Sequence, residues 1–147
     1  MRLTTQTDYA LRLLMHLAVR TPDLTTIAAI ATRFGISKNH LMKVAHTLGR
    51  EGFIETVRGR NGGLRLAKSS DKIGVGTIAR TIEGPSPLVE CFPNGAGGCL
   101  IAPACKLKGA LSRALEAFFS LLDEYTVADL TRNNALLSEL LEAKQFE

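Results

Sequence analysis

Tryptophan is absent from the 147-residue chain, and aromatic residues make up only 5% of it. Its core must therefore be mostly Leu, Ile, Val and Ala, which an apolar content of 46% allows. There is no Cys-x-x-Cys pair, so the usual mark of a small thiol oxidoreductase is missing. No Gly-rich phosphate loop precedes a helix. The stretch "GRNGG" lies between two β-prone runs, which excludes it as a nucleotide fingerprint. Long hydrophobic runs are missing too. The opening "MRLTTQTDYALRLLMHLAVR" has its apolar part interrupted by Arg12 and His16, and no small-residue cleavage site comes after it. We expect neither a signal peptide nor a membrane span, hence a cytoplasmic chain with reduced thiols. Repeats and low-complexity segments are also lacking. The formal net charge of +4 suits a polyanionic partner without singling one out.

Within those bounds the chain reads as mainly helical. Over residues 7–19, Tyr9, Leu13, His16 and Leu17 form one stripe, with Leu11, Leu14, Met15 and Ala18 beside it. "TPDLTT" ends that helix. Thr25 or Thr26 caps a second one, "IAAIATRF", which stops at Gly35. Ser37 is then an N-cap for a third helix, whose single apolar face is Leu41, Val44, Ala45 and Leu48. Two helices joined by a tight Gly-containing turn are either a helix-turn-helix or an ordinary helical hairpin. The next sixteen residues favour the first. Phe53 to Val57 and Leu64 to Lys68 are β-prone runs around "RGRNGG", a hairpin with a basic tip. A helix-turn-helix continued by such a hairpin is a winged helix. Arg58, Arg60, Asn61 and Arg65 cluster with almost no acid, which favours DNA contact over a merely solvated turn. Further on, "GVGTIARTIEG" is a short helix, and a longer one of about five turns starts at Lys106. Its apolar residues are Leu107, Leu111, Ala114, Leu115, Phe118, Leu122 and Tyr125. That face is either core or a dimer seam. Winged-helix readers commonly bind two half-sites as twofold dimers, which favours the seam. The last twenty-odd residues form a weaker helical tail.

The chain's three cysteines, Cys91, Cys99 and Cys105, all fall in "ECFPNGAGGCLIAPACKLKGAL". Seven and then five residues separate them. Structural zinc sites use closer knuckles, which disfavours zinc. No His stands nearby to activate a thiol, and only Lys106 and Lys108 supply charge. Iron–sulfur clusters do accept thiolates at irregular spacing on flexible loops, and Gly95, Gly97 and Gly98 let this loop wrap. Buried structural thiols are the bland alternative. It is weak here because the cysteines lie in a loop and not on apolar helix faces.

"LTTQTDYALRLL", "ISKNHLMKV", "VRGRNGGLRL", "APACKLKGAL" and "LDEYTVADL" occur in that order over nearly the whole chain. Together they resemble the NsrR-like nitric-oxide-sensing repressors, in the winged-helix regulator family that also contains the iron–sulfur regulator IscR. The resemblance implies a homodimer joined by the long helix, with one cluster per protomer held by Cys91, Cys99 and Cys105. IscR-like members carry a His three residues after the last Cys. Here that residue is Lys108, which has no lone pair to offer at neutral pH. In NsrR-like members an Asp from the first helix of the partner chain is the fourth ligand, and Asp8 stands at that position. On sequence grounds alone Asp8 is simply a favourable charge near a helix N-terminus. The Cys91–Cys99 spacing is longer than in the relatives, so 4Fe–4S and 2Fe–2S both stay open.

The resulting expectation is a mainly α fold with a small β-hairpin wing. Residues 1–84 would form the winged helix-turn-helix, 85–105 the cluster-binding loop, and 106–147 the dimerisation helix and tail. The protein would be a repressor of double-stranded DNA operators, released by nitric oxide, and not an enzyme. Ser37, Lys38, Asn39, His40 and Lys43 would meet DNA from the reading helix. Asn39 would pair with adenine, and the lysines would contact guanine or phosphate. Arg60 would enter the minor groove from the wing tip. An iron- or redox-responsive, or cluster-independent, regulator of the same fold is the alternative. A small thiol oxidoreductase comes behind both.

Overall fold

The computed structural model describes residues 2–142. Helix α1 (Thr5–Arg20) opens where Thr4 Oγ1 accepts from the Thr7 N–H at 3.4 Å. Thr7, Ala10, Leu13, Leu14 and Leu17 recur at helical spacing and are buried, so α1 runs through the core. His16 is buried with them, its ring edge-on to Phe34. Burial first, then Arg20 and Arg33, lower its pKa to about 4, which keeps the imidazole neutral at neutral pH.

Helix α2 (Ile27–Phe34) is capped by Thr26, whose hydroxyl accepts from the Ala29 N–H at 3.2 Å. Gly35, at φ 63°, turns the chain into α3 (Lys38–Arg50). Of the two threonines expected to cap α2, Thr25 does something else. It bridges Leu64 through two backbone hydrogen bonds of 3.1 and 2.8 Å and fastens the wing to the helices. Ser37 stands at the N-cap of α3, yet its hydroxyl makes no capping hydrogen bond.

The wing is β1 (Ile54–Val57) and β2 (Gly63–Leu66), antiparallel, with Ile54 opposite Leu66 and Glu55 opposite Arg65. Ile54 and Leu64 point into the core, and the tip is residues 58–62. Glycine is required at 62, because a Cβ there would collide with the Val57 carbonyl. A 3-10 turn (Ser70–Lys72) leads to α4 (Val75–Glu83), which packs against both α1 and the long α5 (Lys106–Asp123). A Cβ at Gly76 would lie 2.8 Å from the Asp123 main-chain nitrogen, so only glycine allows this approach of α4 to the end of α5.

The tail departs from expectation. Helix α6 (Val127–Thr131) begins with a reciprocal capping box between Thr126 and Asp129, and Val127 and Ala128 are buried. Backbone bonds from Val75 N–H to Tyr125 O (2.8 Å) and from Val127 N–H to Ile73 O (2.9 Å) stitch it to the start of α4. Helix α7 (Ala135–Glu142) comes next and buries Leu141. The region after the long helix is thus part of the core shared with α1, not an appendage. The last five residues of the expected tail lie outside the described residues.

Candidate nucleic-acid interface and thiol loop

Leu41, Val44, Ala45 and Leu48 turn one side of α3 into the core, so Lys38, Asn39, His40 and Lys43 stand exposed on the other, with Ser37 ahead of them. Arg58, Arg60 and Asn61 are exposed at the wing tip. Arg65 does not join them. The strand register sets it opposite Glu55, to which it donates at 3.2 Å. The expected four-residue basic cluster is therefore three residues at the tip and one paired arginine on the strand. Thr5 and Gln6, which the sequence pattern did not single out, share a groove of about 340 Å³ with His40 and Lys43. Two exposed polar residues precede the buried stripe of α1, and the packing of α1 on α3 brings them beside that helix.

The cysteines lie on the segment between Gly84 and α5. All three are free thiols of intermediate exposure. The segment turns through left-handed backbone at Asn94, Gly97 and Gly98. The Gly97 N–H returns to the Glu90 carbonyl at 3.1 Å, and Cys105 is the residue just before α5. Beneath the loop is a cavity of about 540 Å³ lined by Leu3, Glu83, Phe92, Leu115, Phe118 and Phe119, among others. Among the described residues, no three His, Cys, Asp or Glu side chains gather closely enough to hold a metal ion. Asp8 is half exposed on α1 and pairs with Arg12 at 2.7 Å. In donor chemistry the set fits an iron–sulfur cluster: three reduced thiols on one glycine-rich loop, with no histidine on it. The described residues do not gather these donors into one group.

The residues expected at the seam fall on two faces of the long helix. Leu111, Leu115, Phe118 and Leu122 are half-buried within the protomer, Leu115 and Phe118 in the cavity under the loop. The open apolar stripe is Leu107, Ala110, Ala114, Ala117 and Leu121, spaced three and four apart, with Leu107 63% and Leu121 55% exposed. The sequence pattern merged two faces into one.

Comparison with known proteins agrees with this architecture. The family model described as Rrf2, iron-dependent transcriptional regulator, matches residues 3–133. The HTH-type transcriptional regulator NsrR of Halalkalibacterium halodurans is 46% identical over 98% of this chain and 99% of its own length. The protein of the same name from Bacillus subtilis is 44% identical over 99% of this chain and 100% of its own. Among solved structures, Staphylococcus aureus CymR aligns with a TM-score of 0.71 at 27% identity, over 88% of this chain and 97% of that one. T. potens IscR shares the fold, with a TM-score of 0.72 at 23% identity over 99% and 94% of the two chains. With its winged helix and a family match across nearly its whole length, this chain belongs to the Rrf2 family of transcriptional regulators.

Proposed function

We propose that this regulator is a nitric-oxide-sensing repressor that binds operator DNA as a homodimer under control of an iron–sulfur cluster. One observation carries the reading: whole-length similarity to proteins named NsrR coincides with three free thiols on the loop that joins the reading domain to α5. Cys91, Cys99 and Cys105 would hold the cluster, with the partner subunit's Asp8 as fourth ligand. When bound, the cluster supplies iron that nitric oxide attacks. The chain's own contribution is mechanical. The loop leads directly into α5, α5 packs on α4, α4 on α1, and α1 on the reading helix. A change in how the loop is held therefore reaches α3 through contiguous packing, and the spacing of the two readers in the dimer is what it alters. The open stripe on α5 is the twofold seam. The deciding experiment measures operator binding of anaerobically purified, coloured protein before and after nitric oxide. Loss of binding with bleaching is expected. Binding that ignores nitric oxide but falls with iron chelation would favour an iron-responsive regulator, the reading that the family description supports.

The DNA contacts are proposed from position and chemistry. Asn39 reads adenine, Lys38, His40 and Lys43 reach bases or phosphates, and Ser37, with its hydroxyl not engaged in capping, contacts phosphate. Arg58, Arg60 and Asn61 follow the backbone or minor groove from the wing, while Arg65 is held partly by Glu55. Asn39→Ala should lose ~1–3 kcal/mol at particular base pairs. If Arg60 meets phosphate, Arg60→Ala should weaken binding at all sequences and lower the slope of log affinity against log salt by about one unit. Titrations at several salt concentrations against single-base operator variants check both. Unchanged affinities in both variants would remove α3 and the wing as readers.

A further inference from the structure

Two side chains three residues apart on α4 tie it to different neighbours. Arg80 reaches α5: it donates to both Asp123 oxygens at 2.6 Å and to Glu116 at 3.3 Å, and its guanidinium lies 4.9 Å over the Phe119 ring. Glu83 reaches α1. Its Oε1 accepts from the Thr4 N–H at 2.7 Å, from the Thr4 hydroxyl at 2.9 Å and from the Thr7 hydroxyl. Thr7 is fully buried, so its hydroxyl has little access to water in place of this carboxylate. Burial works to raise the Glu83 pKa, but hydrogen bonds from Thr7 and Thr4 outweigh it and hold the carboxyl below its usual range.

The location matters as much as the bonds. Thr4 and Thr7 bracket the first turn of α1, and Asp8 is the next residue. Gly84 comes directly after Glu83 and opens the loop that carries the cysteines, with a positive φ of 59°. One carboxylate thus stands where the end of α4, the root of the thiol loop and the first turn of α1 meet. Helix first turns fray because their amides lack intrahelical partners. Asp8 is half exposed on that turn, with Arg12 one turn along its own helix as its ion-pair partner. Nothing in that local pairing sets where the turn sits relative to α5.

We propose that Glu83 is a positioning residue for Asp8: by clamping Thr4 and Thr7, it fixes where α1 presents that carboxylate. The proposal rests on the reading that Asp8 completes the partner's thiol site. In such a dimer the distance from Asp8 to the other loop is set through rigid parts, from Thr7 to Glu83, along α4 to Arg80, across to α5 and over the twofold. Glu83 is the side chain that makes the polar tie between α4 and the first turn of α1.

The test uses the full-length protein in two states. In apo protein, hydrogen exchange of the amides of residues 7–10 should be about tenfold faster in Glu83→Ala than in wild type. In anaerobically loaded protein, loss of visible absorbance to an iron chelator is timed for wild type, Glu83→Ala, Asp8→Ala and the double variant. Each single variant should lose the chromophore roughly tenfold faster. The double variant should be no faster than Asp8→Ala. Glu83→Gln, which keeps an acceptor oxygen, should recover most of the wild-type behaviour, and Thr7→Val serves if Glu83→Ala does not fold. Unchanged exchange, or single effects that multiply in the double variant, would show that Glu83 acts apart from Asp8 and would overturn the proposal while leaving the cluster reading intact. If Asp8→Ala holds its chromophore as long as wild type, the ligand reading itself fails and this inference goes with it.

Discussion

Protein in which Cys91, Cys99 or Cys105 is replaced by Ala should come from anaerobic purification colourless in every case, whereas wild type is brown. The loss should be complete because, among the described residues, no group of three His, Cys, Asp or Glu side chains stands ready to replace a lost thiolate. Two thiolates and a carboxylate are a poor set for iron–sulfur iron, which prefers soft ligands. None of the three cysteines belongs to the buried core, so each variant should remain folded. Thermal melting should therefore stay near that of wild-type apo protein, which separates loss of ligand from loss of fold. Iron and sulfide content per protomer, the visible spectrum and operator affinity are the measurements. Affinity in all three variants should match nitric-oxide-treated wild type. One variant that keeps full colour removes its cysteine from the site. Colourless wild type with stoichiometric zinc would sink the cluster altogether.

Ala114→Glu should turn a dimer into a monomer. Ala114 is central in the open stripe of α5, and in a twofold dimer the substitution occurs twice, near its own copy. Each charge removed from water without a partner costs several kcal/mol, and every 1.4 kcal/mol is tenfold. The dimer dissociation constant should rise by about a hundredfold or more. Operator affinity should collapse with it, because one reader loses the second half-site. Ser112→Glu on the polar side of the same helix is the control and should leave both quantities unchanged. Analytical ultracentrifugation against concentration reads the first effect and operator titration the second. A variant that sediments like wild type would place the seam elsewhere.

The winged helix was legible because its signals are local. Thr26 and Gly35 bracket α2, Leu41, Val44, Ala45 and Leu48 share one face, and the glycines of the wing mark its turn. The pairing of Arg65 with Glu55 was not legible because a cross-strand neighbour depends on register. The two apolar faces of α5 were not separable in the sequence, because spacing along a helix does not say which one the same chain covers. The burial of α6 was invisible because "VADLT" is one short turn and its partners lie far back in sequence, near Ile73. At the thiol loop the three thiols were plain from residue types, but spacing along a loop does not say where it places its side chains. Glu83 carried no signal at all. Its bonds to Thr4 and Thr7 span 79 and 76 residues, and a glutamate in the last turn of a short helix looks like surface.

The position of α6 also bears on synthesis. The core around α1 closes only when Val127 and Ala128 reach it, and the thiol loop is translated before them. A nascent chain that has completed only its helix-turn-helix and wing lacks part of its own interior, and long-range contacts of this kind form late. Synthesis therefore completes the thiol loop before it completes the core of the helix-turn-helix domain. Messages cut short before residue 127 should yield chains whose core lacks the Val127 and Ala128 side chains, a form open to proteases. In this arrangement a chain with a closed core always carries the thiol loop as well.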